Sequence, residues 1–219
     1  MEEYYDRPKD IVRRNSLVAG IRRKGIDDER VLAAISKVPR QLFMPEELHD
    51  KAYIDRAFPI GEGQTISQPY TVAYQSELLD VDPGTKVMEI GTGSAYQAAV
   101  LAEMGAEIYT IERQKKLYEK VQELAYLKRY ENLHFCYGDG FLGWPDHAPY
   151  DRILITAAPP EIPFSLVNQL SMGGFMVLPV GKPGFQRMMR ITRQANGVLK
   201  EEYDLFSFVP MLPGKNQGH

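Results

Sequence analysis

The chain has 219 residues, of which 44% are hydrophobic and 25% charged, which is typical of a globular protein with a sizeable core. A formal net charge of −3 without a long basic run argues against nucleic acid as a partner. A single cysteine, Cys136, excludes an internal disulfide, and the scattered histidines predict no metal site. The charged start and the lack of an apolar run of about 20 residues predict no secretory signal and no membrane span, which indicates a cytoplasmic protein.

The first 60 residues are predicted to form a helical cap. Apolar residues recur at helical spacing between residues 8 and 38, and Gly25 divides this pattern into two helices. Asp27 or Asp28 is suited to cap the second helix. Two prolines that follow then interrupt the pattern.

Strand and helix patterns alternate from residue 86 onwards. A helical segment follows each of the apolar runs KVMEI and EIYTIE, and the second helix is expected to extend over QKKLYEKVQELAYLKRY. Further strands are predicted at LHFCYGD, YDRILITA and GGFMVLPV. This alternation predicts an α/β fold with a doubly wound, Rossmann-like, mostly parallel sheet.

The C-terminal segment has a different pattern. Two strand-like runs, QRMMRITRQ and EEYDLFSFV, are joined by ANG, which predicts antiparallel strands at the end of the sheet. We therefore expect one domain over residues 1–219. Its expected parts are the cap at 1–60, an active-site loop and helix at 61–80, and the Rossmann-like core at 81–219.

A glycine turn follows the first predicted strand of the core. In VMEIGTGSAYQAA, Gly91 and Gly93 permit a sharp turn and a close approach of a ligand to the main chain. The dinucleotide fingerprint requires a third glycine where this chain has Tyr96, and the P-loop pattern does not match either. The turn therefore argues against a nucleotide pyrophosphate.

Three acidic residues accompany the ends of the predicted strands. Glu89 precedes the first glycine of the turn, and an acid there repels phosphate but suits a cationic ligand. Glu112 ends the next strand, where a carboxylate can accept hydrogen bonds from both ribose hydroxyls. Asp139 closes the following strand and could bind the amine of adenine. Each acid alone also fits a local cap, ion pair or turn, but together they predict an S-adenosylmethionine site.

Four motifs occur in an order that resembles a known enzyme family. They are GEGQTISQPY, EIGTGSAYQ, GDG and FVPM, and the run LITAAPPEIP supports them. From about residue 9 to residue 212, the chain is similar to protein-L-isoaspartate O-methyltransferases, especially those of bacteria. The resemblance implies a class I methyltransferase fold and methyl transfer from S-adenosylmethionine to the α-carboxylate of L-isoaspartyl residues in damaged proteins. The ester then cyclises to a succinimide, whose hydrolysis returns some normal aspartate.

The resemblance also implies roles for individual residues. Ser67 corresponds to the serine that the family treats as its active-site residue, and Val209 and Pro210 correspond to the segment that holds the substrate peptide. Isoaspartyl peptides and proteins are the implied partners, and we expect a monomer. With Glu89 added from the strand-end argument, the residues expected to bind the cofactor are Gln64, Thr65, Ile66, Glu89, Gly91, Gly93, Ser94, Glu112, Asp139 and Gly140.

The chain departs from the family pattern at three positions. Ala95 stands where glycine is usual, Tyr70 stands where animal members have histidine, and Leu212 stands where some members have a substrate-contacting threonine. The methyl group of Ala95 is expected to fit at the start of the helix, no role of the histidine is carried over to Tyr70, and the loss of the threonine at Leu212 affects the expected contacts with the peptide. These departures do not affect the expected reaction, which needs no general base because a carboxylate is already ionised at neutral pH.

The motif GEGQTISQPY also fits a simple helix start. Pro69 suits the first turn of a helix, and Ser67 or Gln68 is placed to cap it. Free N–H groups at such a start favour an anion such as a carboxylate. We therefore interpret the motif as a lid and carboxylate holder beside the cofactor site.

Two other functions fit the residues. A methyltransferase with a small-molecule acceptor would keep the glycine turn, Glu112 and Asp139 but would not need QTISQPY. A catalytically silent Rossmann-like binding module, or a regulator that binds a nicotinamide cofactor, is the third alternative. Tight binding of S-adenosylmethionine without binding of NAD would exclude the nicotinamide alternative.

Overall fold

The N-terminal part of the chain is helical up to the first strand. The computed structural model describes residues 6–217, so the first five residues of the predicted cap lie outside the described chain. Helix α1 spans Pro8–Arg23 and α2 spans Glu29–Lys37, and two 3-10 turns follow at Arg40–Phe43 and Glu46–Lys51. Asp28 caps α2 by accepting a hydrogen bond from the main-chain N–H of Arg30.

A β-hairpin that the sequence did not predict lies after this helical part. Strand β1 spans Phe58–Gly61 and pairs antiparallel with β2, Gln64–Ile66. The tip is tight because Gly61, Glu62 and Gly63 all have positive φ angles of 101°, 50° and 67°. Gln64, Thr65 and Ile66, which were expected in a loop, therefore lie on a strand of a hydrogen-bonded hairpin.

Helix α3 begins where the sequence predicts, and its cap differs from the prediction. It spans Pro69–Leu79, with Gln68 at the N-cap position, and no side-chain hydrogen bond caps it. The prediction that Ser67 or Gln68 caps the helix is therefore wrong. The main-chain N–H of Tyr70 donates instead to the Asp55 carboxylate at 2.8 Å, which occupies one of the N–H groups expected to be free for an anion.

A seven-stranded sheet forms the centre of the molecule. Its strands, in chain order, are β3 Lys86–Ile90, β4 Glu107–Glu112, β5 Leu133–Tyr137, β6 Tyr150–Ile155, β7 Leu170–Lys182, β8 Phe185–Gln194 and β9 Gly197–Phe206. The spatial order is β5-β4-β3-β6-β7-β8-β9. The pairs from β5 to β7 are parallel, and β8 and β9 are antiparallel. The predicted fold class is confirmed.

The order of the strands reverses at β3. The chain runs outward from β3 through β4 to β5 and then crosses to β6 on the other side of β3. In open parallel sheets, a crevice forms at such a reversal, outside the carboxyl ends of the strands. Here these ends are Ile90, Glu112 and Ile155, and the glycine turn lies among them.

Both faces of β3, an inner strand of the sheet, are buried. Val87 of β3 packs in one cluster with residues of α1, α2 and α3, and its neighbour Met88 packs in a second cluster with Ile153 and Met176 on the opposite face. The helices that complete these layers are α4 Tyr96–Glu103, α5 Lys115–Gln122 and α6 Phe164–Val167. The alternation follows from the strand period of two. It fixes the register of β3 and therefore the position of the turn that follows it.

Helix α5 is shorter than the sequence predicts. The helical pattern extends over seventeen residues in sequence, but α5 ends at Gln122 and a separate 3-10 turn covers Ala125–Arg129. Leu117 and Val121 of α5 are buried, while Leu124 lies beyond the helix and precedes the 3-10 turn. Packing of Tyr126 and Leu127 into the core accompanies this break, because both are buried in the 3-10 turn.

Among the helices of residues 6–217, none combines the length and the apolar character that a membrane span requires.

Candidate active site

A cavity lies at the carboxyl ends of β3 and β4, where the strand order reverses. Three segments close it: the glycine turn after β3, the strand β2 of the hairpin, and the C-terminal segment 209–212. The predicted residues on its wall are Gln64, Thr65, Ile66, Ser67, Gly91, Gly93, Ser94, Glu112, Gly140, Val209 and Pro210. The structure thus brings together eleven of the predicted site residues, although they span almost 150 positions of sequence.

The glycine turn has a main-chain conformation that residues with a side chain adopt only with strain. Gly91 has a φ of +99°, and a Cβ at this position would lie 2.7 Å from Thr156 Oγ1. Gly93 has a φ of +53° and donates its main-chain N–H to Glu112 Oε2 at 2.8 Å. Ala95, where the family has glycine, is also left-handed at φ +65°. An alanine in that region costs roughly 1–2 kcal/mol, so this departure is tolerated with strain.

Glu112 is the acid that reaches the cavity. It is the last residue of β4, and only 4% of its surface is exposed. Its carboxylate accepts hydrogen bonds from the main-chain N–H groups of Gly93 and, at 2.7 Å, Gln114. Burial raises the pKa of this carboxyl, and the main-chain hydrogen bonds act in the opposite direction. The two N–H groups fix the carboxylate, and each oxygen keeps a lone pair for a ligand hydroxyl.

Glu89 lies beneath the turn and does not line the cavity. Its side chain is fully buried, and Glu89 Oε2 accepts a hydrogen bond from the Thr110 hydroxyl at 2.5 Å. Thr110 in turn lies 2.6 Å from the hydroxyl of Thr92, a residue of the turn. Burial raises the pKa of Glu89 to about 8. The expectation that Glu89 faces a cationic ligand directly is therefore corrected, because its side chain supports the turn from the sheet.

Asp139 is also placed differently from the expectation. Its two carboxylate oxygens accept hydrogen bonds from the main-chain N–H groups of Phe141, at 2.9 Å, and Gly214, at 2.7 Å. Asp139 therefore ties the C-terminal segment to the end of β5, and it does not line the cavity. Its neighbour Gly140 does, and a Cβ there would meet Ile90 Cγ2 at 2.4 Å.

Arg113 holds the same C-terminal segment from the other side. Its guanidinium donates to the carbonyl of Gly214 at 2.9 Å and to the carbonyl of Pro213 at 3.3 Å. It lines the cavity together with Glu112, and these are the two ionisable side chains with formal charge on the described wall. Because the guanidinium is engaged by carbonyls, the wall presents a carboxylate, amides, hydroxyls and apolar groups. This donor and acceptor set fits a ligand that has ribose hydroxyls.

A second, open groove meets the cavity at four residues. Thr65, Ser67, Thr156 and Val209 line both spaces, so this junction is where a ligand in one can touch a ligand in the other. Thr156 Oγ1 donates to main-chain carbonyls of the glycine turn at 2.7–3.0 Å. Within residues 6–217, the Ser67 hydroxyl has no hydrogen-bond partner. The hydroxyl of Thr65 at the junction is also free within residues 6–217, but Thr65 is exposed, so Ser67 has the half-buried hydroxyl that is free to bind.

The cavity wall includes residues that sequence reasoning missed. They are Val72, Ile90, Thr92, Tyr96, Gln97, Ile111, Arg113, Gln114, Thr156, Ala157, Met211 and Leu212. Thr156 follows the carboxyl end of β6 directly, so the strand-end rule that identified Glu112 also applies to it. The described residues contain no group of three His, Cys, Asp or Glu side chains that could hold a metal ion.

The fold and the site define a class of protein. A seven-stranded sheet with its last strands antiparallel, a glycine turn after β3 and an acid at the end of β4 are the features of class I methyltransferases, which use S-adenosylmethionine.

Comparisons with known proteins identify the family. A profile of protein-L-isoaspartate(D-aspartate) O-methyltransferase (PCMT) matches residues 12–216. A protein-L-isoaspartate O-methyltransferase of Christiangramia forsetii is 48% identical over 204 residues, 93% of this chain and 96% of the relative. Another, of Flavobacterium psychrophilum, is 48% identical over 211 residues, 96% of this chain and 99% of the relative. The chain belongs to the protein-L-isoaspartate O-methyltransferase family and is an S-adenosylmethionine-dependent methyltransferase.

Solved structures agree with this assignment. A protein-L-isoaspartate O-methyltransferase superposes with a TM-score of 0.80 at 26% identity, covering 90% of this chain and 65% of the other. A putative protein-L-isoaspartate O-methyltransferase of Plasmodium falciparum, in complex with S-adenosyl-L-homocysteine, superposes with a TM-score of 0.79 at 26% identity. That comparison covers 91% of this chain and 98% of the other.

Proposed function

We propose that this chain transfers the methyl group of S-adenosylmethionine to the α-carboxylate of L-isoaspartyl residues in damaged proteins, and that Ser67 orients this carboxylate. The observation that carries the role of Ser67 is its free hydroxyl at the junction of the cavity and the groove. A cofactor in the cavity and a peptide in the groove meet at this residue. The family to which the chain belongs supplies the reaction.

The residues of the cavity fit the cofactor in three parts. We propose that Glu112 accepts hydrogen bonds from the ribose hydroxyls, because its fixed carboxylate is the one acid on the described wall. Gly91, Gly93 and Ser94 would hold the amino-acid part along the turn, and Gln64, Thr65 and Ile66 would cover it from the hairpin. Gly140 would lie against adenine, while Asp139 would act by holding the segment at Gly214, and Glu89 by supporting the turn. When bound, the cofactor supplies a methyl group on a sulfonium that needs no further activation.

The substrate carboxylate needs alignment more than proton transfer. Carboxyl groups titrate near pH 4, so the nucleophile is ionised at neutral pH. The hydroxyl of Ser67 donates one hydrogen bond to it, and the main chain at Val209 and Pro210 holds the peptide beside the junction. Proximity of this kind contributes roughly 7–11 kcal/mol in well-oriented intramolecular reactions. The absence of a general base at the described junction is consistent with this chemistry.

Paired peptides test the proposed function. We expect the protein to label an isoaspartyl peptide with a radioactive methyl group and to leave the peptide with normal aspartate at the same position unlabelled. Equal labelling of both peptides, or of neither, would refute the isoaspartyl assignment.

Replacement of Ser67 tests the role of the hydroxyl. A hydrogen bond to a charged group contributes about 1.5–3 kcal/mol, so Ser67→Ala should lower kcat/KM about 10- to 150-fold. The affinity for S-adenosyl-L-homocysteine should change little, because the hydroxyl faces the peptide. Ser171→Ala on β7, far from the junction, is the control and should keep full activity. An unchanged kcat/KM in Ser67→Ala would remove Ser67 from the proposed role.

We further propose that the enzyme works in the cytoplasm as a monomer. The single cysteine, which leaves the chain without an internal disulfide, supports this location. Equilibrium ultracentrifugation of the active enzyme tests the oligomeric state.

A further inference from the structure

The open groove that meets the cavity at Ser67 has one wall made of aromatic rings. Tyr70 and Tyr74 of α3 lie with their ring centroids 6.1 Å apart, and Tyr74 lies 4.9 Å from Phe206 at the end of β9. Phe208 continues the row 6.4 Å from Phe206. Tyr70, Phe206 and Phe208 line the groove itself, which holds about 600 Å³ of open space. These four residues are called the aromatic wall below.

The aromatic wall is held in place by polar contacts behind it. The hydroxyl of Tyr74 lies 3.2 Å from the Asp204 carboxylate. The main-chain N–H and carbonyl of Phe208 bond to the side chain of Gln186, which is only 1% exposed. A wall that is already ordered loses little entropy when a ligand packs on it. The rings are half-buried, so apolar surface is left for a partner to cover.

The groove contains no charged side chain to receive a charged partner. Of the described residues that line it, none carries a carboxylate, ammonium, guanidinium or imidazole group. Behind Tyr70, Lys24 is paired with the Asp55 carboxylate at 2.5 Å. A charged side chain that entered the groove would lose water without gaining a counter-ion. The groove therefore fits neutral side chains.

We infer that the aromatic wall is a side-chain subsite for an aromatic or large apolar residue within two positions of the isoaspartyl residue in the substrate. This inference rests on the proposed function, because the groove is continuous with the junction at Ser67 where the isoaspartyl carboxylate is placed. The subsite makes the enzyme selective: isoaspartyl sites in apolar sequence are methylated faster than sites flanked by Lys or Glu. Tyr70, at a position where animal members have histidine, is a specificity-determining residue of this chain.

A set of isoaspartyl peptides tests the subsite. One parent peptide has Ala at the two positions on each side of isoaspartate, and variants carry Phe, Lys or Glu at one of these four positions. We expect Phe in at least one position to raise kcat/KM about 10-fold over Ala, the lower limit for filling an apolar pocket. Lys and Glu at that position should lower kcat/KM below that of the Ala peptide.

Variants of the wall locate the effect. In Tyr70→Ala and in Phe206→Ala, the ratio of kcat/KM for the Phe peptide to that for the Ala peptide should fall to about 1, whereas Tyr70→Phe should retain it. Phe164→Ala, which removes a 57% exposed ring remote from the groove, should leave the ratio and the activity unchanged. Binding of S-adenosyl-L-homocysteine reports that each variant is folded.

The outcomes separate this inference from the proposed function. Equal kcat/KM for the Phe, Ala, Lys and Glu peptides would overturn the subsite and leave the methyltransferase assignment intact. A Phe preference that survives both Tyr70→Ala and Phe206→Ala would also overturn it. Failure of the wild-type protein to methylate any isoaspartyl peptide would overturn the proposed function and the subsite together.

Discussion

Glu89→Gln should change how the stability of the protein depends on pH. Glu89 is fully buried one residue before the end of β3, and burial raises its pKa to about 8 from an ordinary value of 4.5. The folded state therefore holds this proton more tightly than the unfolded state. The resulting stabilisation is fully present below about pH 4.5 and is lost as the pH rises through about 8. Gln cannot lose a proton, so the variant lacks this dependence.

The size of the effect follows from the difference between the two pKa values. A pKa difference of this size corresponds to roughly 5 kcal/mol over the whole range, or about 1.4 kcal/mol for each pH unit. The free energy of unfolding of the wild type, minus that of Glu89→Gln, should therefore fall steadily between pH 5 and pH 7.5. Gln retains an oxygen that can accept the hydrogen bond from Thr110, so the fold is preserved.

Urea unfolding at several pH values measures this difference. Each curve gives a free energy of unfolding, and the two proteins are compared at the same pH, so that the titration of all other groups cancels. Glu131→Gln, which changes an exposed acid, is the control and should give a profile parallel to that of the wild type. Parallel profiles for the wild type and Glu89→Gln would refute the argument that burial keeps the Glu89 carboxyl protonated.

The remaining predictions concern the cavity wall. Gly140→Ala would place a Cβ 2.4 Å from Ile90 Cγ2, so we expect a loss of about 1–3 kcal/mol in urea unfolding and weaker binding of S-adenosyl-L-homocysteine by calorimetry. Gly91→Ala should destabilise the protein more, because backbone strain at φ +99° adds to a contact of 2.7 Å between the new Cβ and Thr156 Oγ1. In the double variant with Thr156→Ala, the part of the lost free energy of unfolding that comes from this contact should be regained. Glu112→Ala should weaken cofactor binding more than it lowers kcat, and an unchanged affinity would refute the ribose assignment.

The sheet was predictable from the sequence because its signals are local. The run KVMEI is apolar and ends at a glycine turn, and β3 spans these five residues in the structure. The hairpin β1–β2 was missed because its strands have four and three residues, too few to show a period of two. Its tip also contains Glu62 at a positive φ, which no local rule favours for a glutamate. Helix α5 was predicted too long because helical spacing continues past Gln122, while the packing that ends the helix is tertiary.

The roles of the three strand-end acids were only partly predictable. The position of each acid follows from the strand pattern, but the partner that occupies each carboxylate is distant in sequence. Glu89 pairs with Thr110, 21 residues away, and Asp139 holds Gly214, 75 residues away. Glu112 bonds to Gln114 next to it and to Gly93, which the same sheet pattern places beside it. Glu112, whose hydrogen-bond partners come from its own strand end and from the turn after the adjacent strand, is the acid that lies on the cavity wall as predicted.

The position of an acid relative to the strand end determines what its charge can do. Glu89 is one residue inside β3, so its side chain must lie within the packed layers, where burial favours the protonated form. Glu112 is the last residue of β4, close enough to the turn to take two main-chain N–H groups and still border the cavity. Asp139 lies two residues beyond β5, where the C-terminal segment can reach it. A shift of one or two residues along parallel strands therefore separates Glu89, which supports the turn, from Glu112, which borders the cavity, and from Asp139, which holds the C-terminal segment. The same strand-end rule predicts Glu112 as the acid whose loss affects the cofactor most directly.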